Sequence, residues 1–234
     1  LSHDFVEAPL LRRAGWGIVF DPTLEASWEE VPASLPSYAR RDRRWAQGSL
    51  QHLRLLATQG LHPASRLHLL FGAMAYISSA LWCLLLLAGT AYVLVPASSG
   101  LVVGRGEVSS LERIPSLLAI TGVVLFLPKT LGLVGPLLRS PDGFGGRIRL
   151  IVSAVSETLL SILVAPILMV YHTLFVAQIA LGRDVGWQAW MRTATDIGWR
   201  ESIRATAPAW GLGLLWTVAT LLVSPGFAIW LSPI

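Results

Sequence analysis

The stretch LHLLFGAMAYISSALWCLLLLAGTAYVLV, residues 67–95, carries no acidic or basic side chain apart from His68. About 20 apolar residues in a helix cross the hydrocarbon of a bilayer, so this run reads as a transmembrane helix. Composition agrees. Of 234 residues, 53% are hydrophobic and 14% are charged, against roughly 25% charged in an ordinary soluble domain. Ten tryptophans fit the same class, because indole prefers the headgroup layer.

Downstream, apolar runs recur at Ile114–Leu138, interrupted by Pro128 and Lys129, at Leu150–Leu181, with Pro166 near its middle, and at Ala205–Val223. The run at 150–181 exceeds one straight crossing and reads as one kinked helix or two shorter pieces. About four membrane segments are therefore expected within residues 63–234. Residues 40–66 are rich in arginine, and 139–149 hold three arginines against one aspartate. The positive-inside rule puts both in the cytoplasm and residues 96–113 outside. Lys129 and Glu157 stand inside apolar runs, as members of a polar path or of a helix pair, or as bundle-facing charges near the interface.

Upstream, residues 38–60 predict a helix with Trp45, Leu50, Leu53, Leu56 and Ala57 on one side and Arg40, Arg43, Gln47 and Arg54 on the other. That pattern suits a helix lying on the membrane surface, ended by Gly60 and Pro63. Residues 1–38 read as the tail of a soluble α/β domain. Within them, Asp4–Ala14 is helical in spacing despite Pro9, Trp16–Phe20 is a short strand candidate, and Asp21–Pro36 is a connecting loop. The first residues mix charged and apolar side chains, unlike a signal peptide, and the chain is expected to begin inside a larger protein. The fold class is mainly α: polytopic membrane helices preceded by an amphipathic interfacial helix, 39–62, and the α/β tail.

Arg41-Asp42-Arg43-Arg44-Trp45 sits just before the first membrane run. Guanidinium forks match phosphate, and an indole face suits a sugar or base. A positive-inside anchor with an interfacial tryptophan would use the same residues without catalysis. Inverting sugar transfer from a nucleotide donor needs a carboxylate to take the acceptor proton and cations to stabilise the departing diphosphate. Asp4 and the pair Arg41 and Arg44 can fill those roles, with Trp45 holding the acceptor ring. Taken alone, Asp4 reads as a helix-capping carboxylate. His3, His52, His62, His68 and His172 are not ligand-spaced and Cys83 is the single cysteine, so neither a metal site nor a disulfide is expected in this chain. A net charge of +4 without a basic stripe interleaved with aromatics argues against nucleic acid. Gly143, Gly145 and Gly146 read as a turn, not as a phosphate loop.

The R-x-x-R-W pattern at Arg41, Arg44 and Trp45 resembles the Q/R-x-x-R-W motif of the processive, membrane-embedded glycosyltransferases, which include cellulose, chitin and hyaluronan synthases. Residues 1–8, 12–17, 41–48 and 126–129 resemble in particular the members that build osmoregulated periplasmic glucans, and the likeness runs through the membrane segments to the end. It implies a GT-A domain, whose tail is residues 1–38, joined to membrane helices in a bacterial inner-membrane, multi-pass enzyme. It also implies UDP-glucose as donor, a growing β-glucan as acceptor, and membrane lipids as surroundings. Asp4 corresponds to the base of the family's T-E-D motif, here Ser2-His3-Asp4, with His3 in place of the glutamate. Arg41 and Arg44 would contact the donor diphosphate and Trp45 would stack on the acceptor glucose. The donor-binding aspartate and the D-x-D motif, with the magnesium ion expected there, would precede Leu1.

Overall fold

A computed structural model describes residues 3–19, 21, 32, 34–99, 114–139, 141–183, 198–223 and 225. The order is α1 (His3–Arg13), α2 (Leu35–His52) continued by a 3-10 turn (Leu53–Ala57), α3 (Pro63–Ser99), α4 (Ile114–Arg139), a second 3-10 turn (Pro141–Phe144), α5 (Arg147–Ala180) and α6 (Trp199–Val223). The mainly α reading therefore holds. The strand candidate does not: Trp16–Val19 is irregular, and Phe20 lies outside the described residues. Trp16 is 68% and Val19 88% exposed, the Trp16 N–H donates to the Leu11 carbonyl at 3.0 Å, and no ladder partner stands beside this stretch among the described residues. Most of the expected loop at 21–36, residues 100–113 of the expected outer segment 96–113, and the ending after Pro225 also lie outside the described residues, while 96–99 continue α3.

Among the described residues, Pro63–Tyr92, Ala119–Arg139 and Arg147–Ala180 are long and apolar enough to cross a membrane. The fourth expected segment corresponds to a shorter apolar helix, Thr206–Leu222. Leu150–Leu181 falls almost wholly within one unbroken helix that passes through Pro166. Large apolar side chains along α4, such as Val123, Val124, Leu125 and Leu131, are exposed, as side chains that meet lipid should be.

The chain divides into two compact units, Leu1–Gly89 with Pro166–Ala219, and Thr90–Ala165 with Thr220–Ile234. In the first, Ala46 of α2, Tyr76 of α3 and Phe175 of α5 form a buried cluster, flanked by Ala39, Tyr171, Val176 and Ile179. Helix α2 starts three residues earlier than its sequence pattern suggests. Ser34 caps it, its Oγ accepting from the Ser37 backbone N–H at 3.3 Å, and Pro36 occupies the first turn, where no N–H is needed.

In the second unit, α4 turns into α5 at Gly145 and Gly146, with φ of 78° and 96°, values that glycine adopts without strain. The glycine run is a turn, as its sequence suggests. Beyond it, Lys129 Nζ of α4 lies 3.2 Å from Glu157 Oε1 of α5, beside an apolar groove that includes Phe126, Leu133, Val155 and Leu159. Of the readings open for these two charges, the geometry takes the helix pair. Each charge would be costly alone in hydrocarbon and is offset by the other. Replacing only Lys129 or only Glu157 by a neutral residue should lower the amount of protein recovered in membranes, while the double neutral variant should recover more than either single one. Quantitative immunoblotting of membrane fractions checks this, and equal yields from all four proteins would refute the pairing.

Candidate functional site

A helix turns about 100° per residue, so Ala39, Asp42, Ala46 and Ser49 share one stripe of α2. Asp42, Ala46 and Ser49 are buried and Ala39 half-buried, and α2 also buries Gly48 and His52. The apolar side read from the sequence is not the packed one: Trp45 stays 39% exposed, while Leu50, Leu53 and Leu56 are half-buried. Small residues let α2 approach its neighbours closely, and a hydrogen-bonded carboxylate occupies the middle of the seam.

That carboxylate is Asp42, which is only 7% exposed. The Tyr76 hydroxyl of α3 donates to its Oδ1 at 2.9 Å, and His172 Nε2 of α5 meets its Oδ2 at 2.7 Å. With Nε2–H donating to the carboxylate, His172 Nδ1 accepts from the Ser79 hydroxyl of α3 at 3.0 Å. Tyr76 also presents its ring edge to His172, with centroids 5.0 Å apart at 70°. The order serine, histidine, carboxylate resembles a nucleophile triad. Ser79, however, sits in mid-helix, where neighbouring backbone N–H groups are engaged in the helix and cannot form an oxyanion hole. The cluster is a polar joint between three helices, in which each buried polar group has a partner.

The arginine motif flanks this joint. Arg41 lies with its guanidinium carbon 5.0 Å from the Trp45 ring centroid and 5.9 Å from that of Tyr38, within the range of cation–π attraction. Burial, and then the nearby Asp42 charge, push the Tyr38 hydroxyl above its ordinary pKa, so it stays neutral at physiological pH. Arg44 lies roughly 160° round the helix from Asp42 and is half-buried. Arg41, Arg44 and Trp45 thus project from α2 beside or away from its buried seam.

Asp4 occupies the first turn of α1, and its side chain lies outside the described residues. Its neighbour Phe5 fixes that turn. The Phe5 ring stacks on His68 of α3 at 5.1 Å, and a Cβ placed on Gly72 would come within 3.2 Å of it. At the other end of α1, Arg12 Nη2 is 3.3 Å from His62 Nε2. His68, Gly72 and Tyr76 follow one another at successive turns of one α3 face. The α1 turn that carries Asp4 and the α2 helix that carries the arginines are thus seated on the same stripe. His3, the departure from the T-E-D pattern, lies 3.5 Å from Glu7.

Sequence reasoning missed Asp42, Tyr76, Ser79 and His172. The available signal was an acidic residue inside an arginine cluster combined with a histidine in an apolar run, since ionisable groups at membrane depth seek partners. Among the described residues, no three His, Cys, Asp or Glu side chains converge as a metal site requires.

Residues 2–95 match the family described as glycosyl transferase family group 2, and the sequence after them continues in membrane-type helices. Over its whole length the chain is homologous to proteins called glucans biosynthesis glucosyltransferase H. It is 40% identical to that of Rhodopseudomonas palustris strain CGA009, 37% to that of Pseudomonas entomophila and 38% to that of Klebsiella pneumoniae, covering 100% of this chain in each case. The chain spans about a third of the length of these relatives, 34%, 28% and 29% respectively. No solved structure matches.

The Gly72 contact gives a direct test of how α1 is seated. Gly72→Val should destabilise the solubilised protein by about 1–3 kcal/mol through overpacking, seen as a lower melting temperature, and adding Phe5→Ala should return part of the loss. Additive losses in the double variant would show that the two residues do not touch.

Proposed function

We propose that the chain is part of a bacterial inner-membrane, multi-pass glucosyltransferase that transfers glucose from UDP-glucose to a growing β-glucan, the backbone of osmoregulated periplasmic glucans, and passes it across the membrane. The observation that carries this reading is the R-x-x-R-W motif, held beside a membrane-type bundle with Arg41 against Trp45, in a chain whose whole-length relatives are glucosyltransferases. The remainder of the enzyme, with a GT-A domain that binds the donor, would be supplied by sequence outside this chain.

In this reading Asp4 takes the proton of the acceptor hydroxyl as its oxygen attacks C1 of the donor glucose. The bond from C1 to the diphosphate breaks with inversion, and UDP leaves with the electron pair. Arg41 and Arg44 stabilise the charge that develops on the diphosphate, and Trp45 offers an indole face to the acceptor ring. A magnesium ion at the donor would be held by groups outside the described residues, and no step in this chain is routed through it.

Three substitutions in the full-length enzyme test the assignment in membrane vesicles supplied with UDP-glucose. Asp4→Asn should abolish synthesis and leave donor binding largely intact. Arg44→Lys keeps the charge but not the planar fork, and Trp45→Phe keeps an aromatic ring but loses area. Both should insert normally and lose most synthesis, with Arg44→Lys the more severe. Full synthesis in both would reduce the motif to a positive-inside anchor. The membrane arrangement is tested by labelling from the periplasmic side in a Cys83-free background. Arg105→Cys should react and Gly143→Cys should not, and the opposite pattern would invert the topology.

A further inference from the structure

We infer that Asp42, Tyr76 and His172 form a positioning device that sets the rotation of α2 and so aims Arg41, Arg44 and Trp45 at the reacting groups. The inference rests on the function proposed above and adds to it three residues that do not themselves meet substrate.

The argument starts from the faces of α2. Its seam of Ala39, Ala46 and Ser49 is made of small side chains, and small side chains alone fix a helix's rotation weakly. Such a seam locks no large apolar side chain into its neighbours, so adjacent rotations would bury comparable area. Asp42 removes that freedom. A buried carboxylate without partners is strongly disfavoured, and only one rotation delivers its two oxygens to the Tyr76 hydroxyl at 2.9 Å and to His172 Nε2 at 2.7 Å. The second layer is equally directional: Ser79 holds the far nitrogen of His172 at 3.0 Å, and the Tyr76 ring stands edge-on to the imidazole.

Rotation matters because the motif residues lie close to Asp42 on the helix. At about 100° per residue, Tyr38, Arg41 and Trp45 fall within roughly 100° of Asp42 on one side, and Arg44 lies further round in the same sense. Their mutual arrangement, with Arg41 against both rings, is internal to α2. Their aim relative to α3 and α5 is set by the joint. The acidic residue inside the arginine cluster therefore serves geometry, and neutralising the charge of its neighbours is incidental.

The test uses the full-length enzyme in membrane vesicles with Tyr76→Phe, His172→Ala and His172→Gln. Tyr76→Phe keeps the ring in the buried cluster and removes only the hydroxyl, and His172→Gln keeps an N–H donor where Nε2 stands. If the joint aims the arginines, Tyr76→Phe and His172→Ala lower kcat by about tenfold and leave the KM for UDP-glucose within about twofold, because the misplaced contacts are those that strengthen as the diphosphate departs. His172→Gln should recover most of the loss, and membrane yields should match wild type.

A second arm is independent of activity. Ser49 is buried in the seam, so Ser49→Cys in a Cys83→Ser background should react slowly with maleimide and several times faster once Tyr76→Phe or His172→Ala is added. Wild-type kcat in both variants, or a loss of synthesis that simply parallels loss of protein, overturns the positioning role. Unchanged labelling overturns the proposed control of helix rotation. Wild-type vesicles that make no glucan from UDP-glucose overturn the functional reading and the catalytic half of this inference, and the labelling arm still decides whether the carboxylate fixes the helix.

Discussion

A single buried carboxylate organises the first unit of this chain. Asp42 takes hydrogen bonds from two long apolar helices at once, and α2 can lie against them only in the orientation that supplies both. The strength of the constraint lies in its asymmetry: a satisfied buried carboxylate contributes modestly to stability, whereas an unsatisfied one costs far more than the contact is worth. The apolar cluster of Ala46, Tyr76 and Phe175 around it would tolerate sliding. The polar joint does not, and it gives a helix with a seam of small residues one defined seat.

The same unit shows how the N-terminal helices are held to the long apolar ones. Helix α1 is tied down at both ends, through Phe5 on His68 and Gly72 and through Arg12 on His62. Helix α2 is tied one turn further along α3, at Tyr76. Two short helices that carry the proposed base and the proposed diphosphate contacts are therefore referred to one long helix. Displacing α3 would move both sets together, so their spacing is protected from small motions of the bundle.

What the sequence disclosed and what it concealed follow one physical line. Long apolar runs are read by length, because hydrocarbon thickness leaves few alternatives, and helices stand over 67–95, 114–138 and nearly all of 150–181. The strand at Trp16–Phe20 was misjudged because β propensity reports side-chain fit to a sheet that must exist elsewhere, and here no partner strand accompanies it among the described residues. The seat of α2 was misjudged because periodicity weighs hydrophobicity, whereas the seam was chosen by size and by one hydrogen-bonded carboxylate. Arg41, Arg44 and Trp45 stand out in the sequence through a motif with a chemical rationale, which the proposed function takes up. Tyr76 and His172 do not, since each lies more than thirty residues from Asp42 and only the tertiary structure brings them to it.

The pair of Lys129 and Glu157 bears on how the chain is made. On the reading of α4 and α5 as crossings, each helix alone would carry an ionised group into hydrocarbon, at a cost of roughly 2.5–3.5 kcal/mol on insertion scales for a central charged residue. Together they present a neutral ion pair, joined by the tight turn at Gly145 and Gly146. The emerging α4 then has reason to linger at the insertion machinery until α5 has been synthesised, and the two enter the lipid as a hairpin. Biogenesis of this part of the protein is thereby made a concerted event, with the order of assembly written into two side chains.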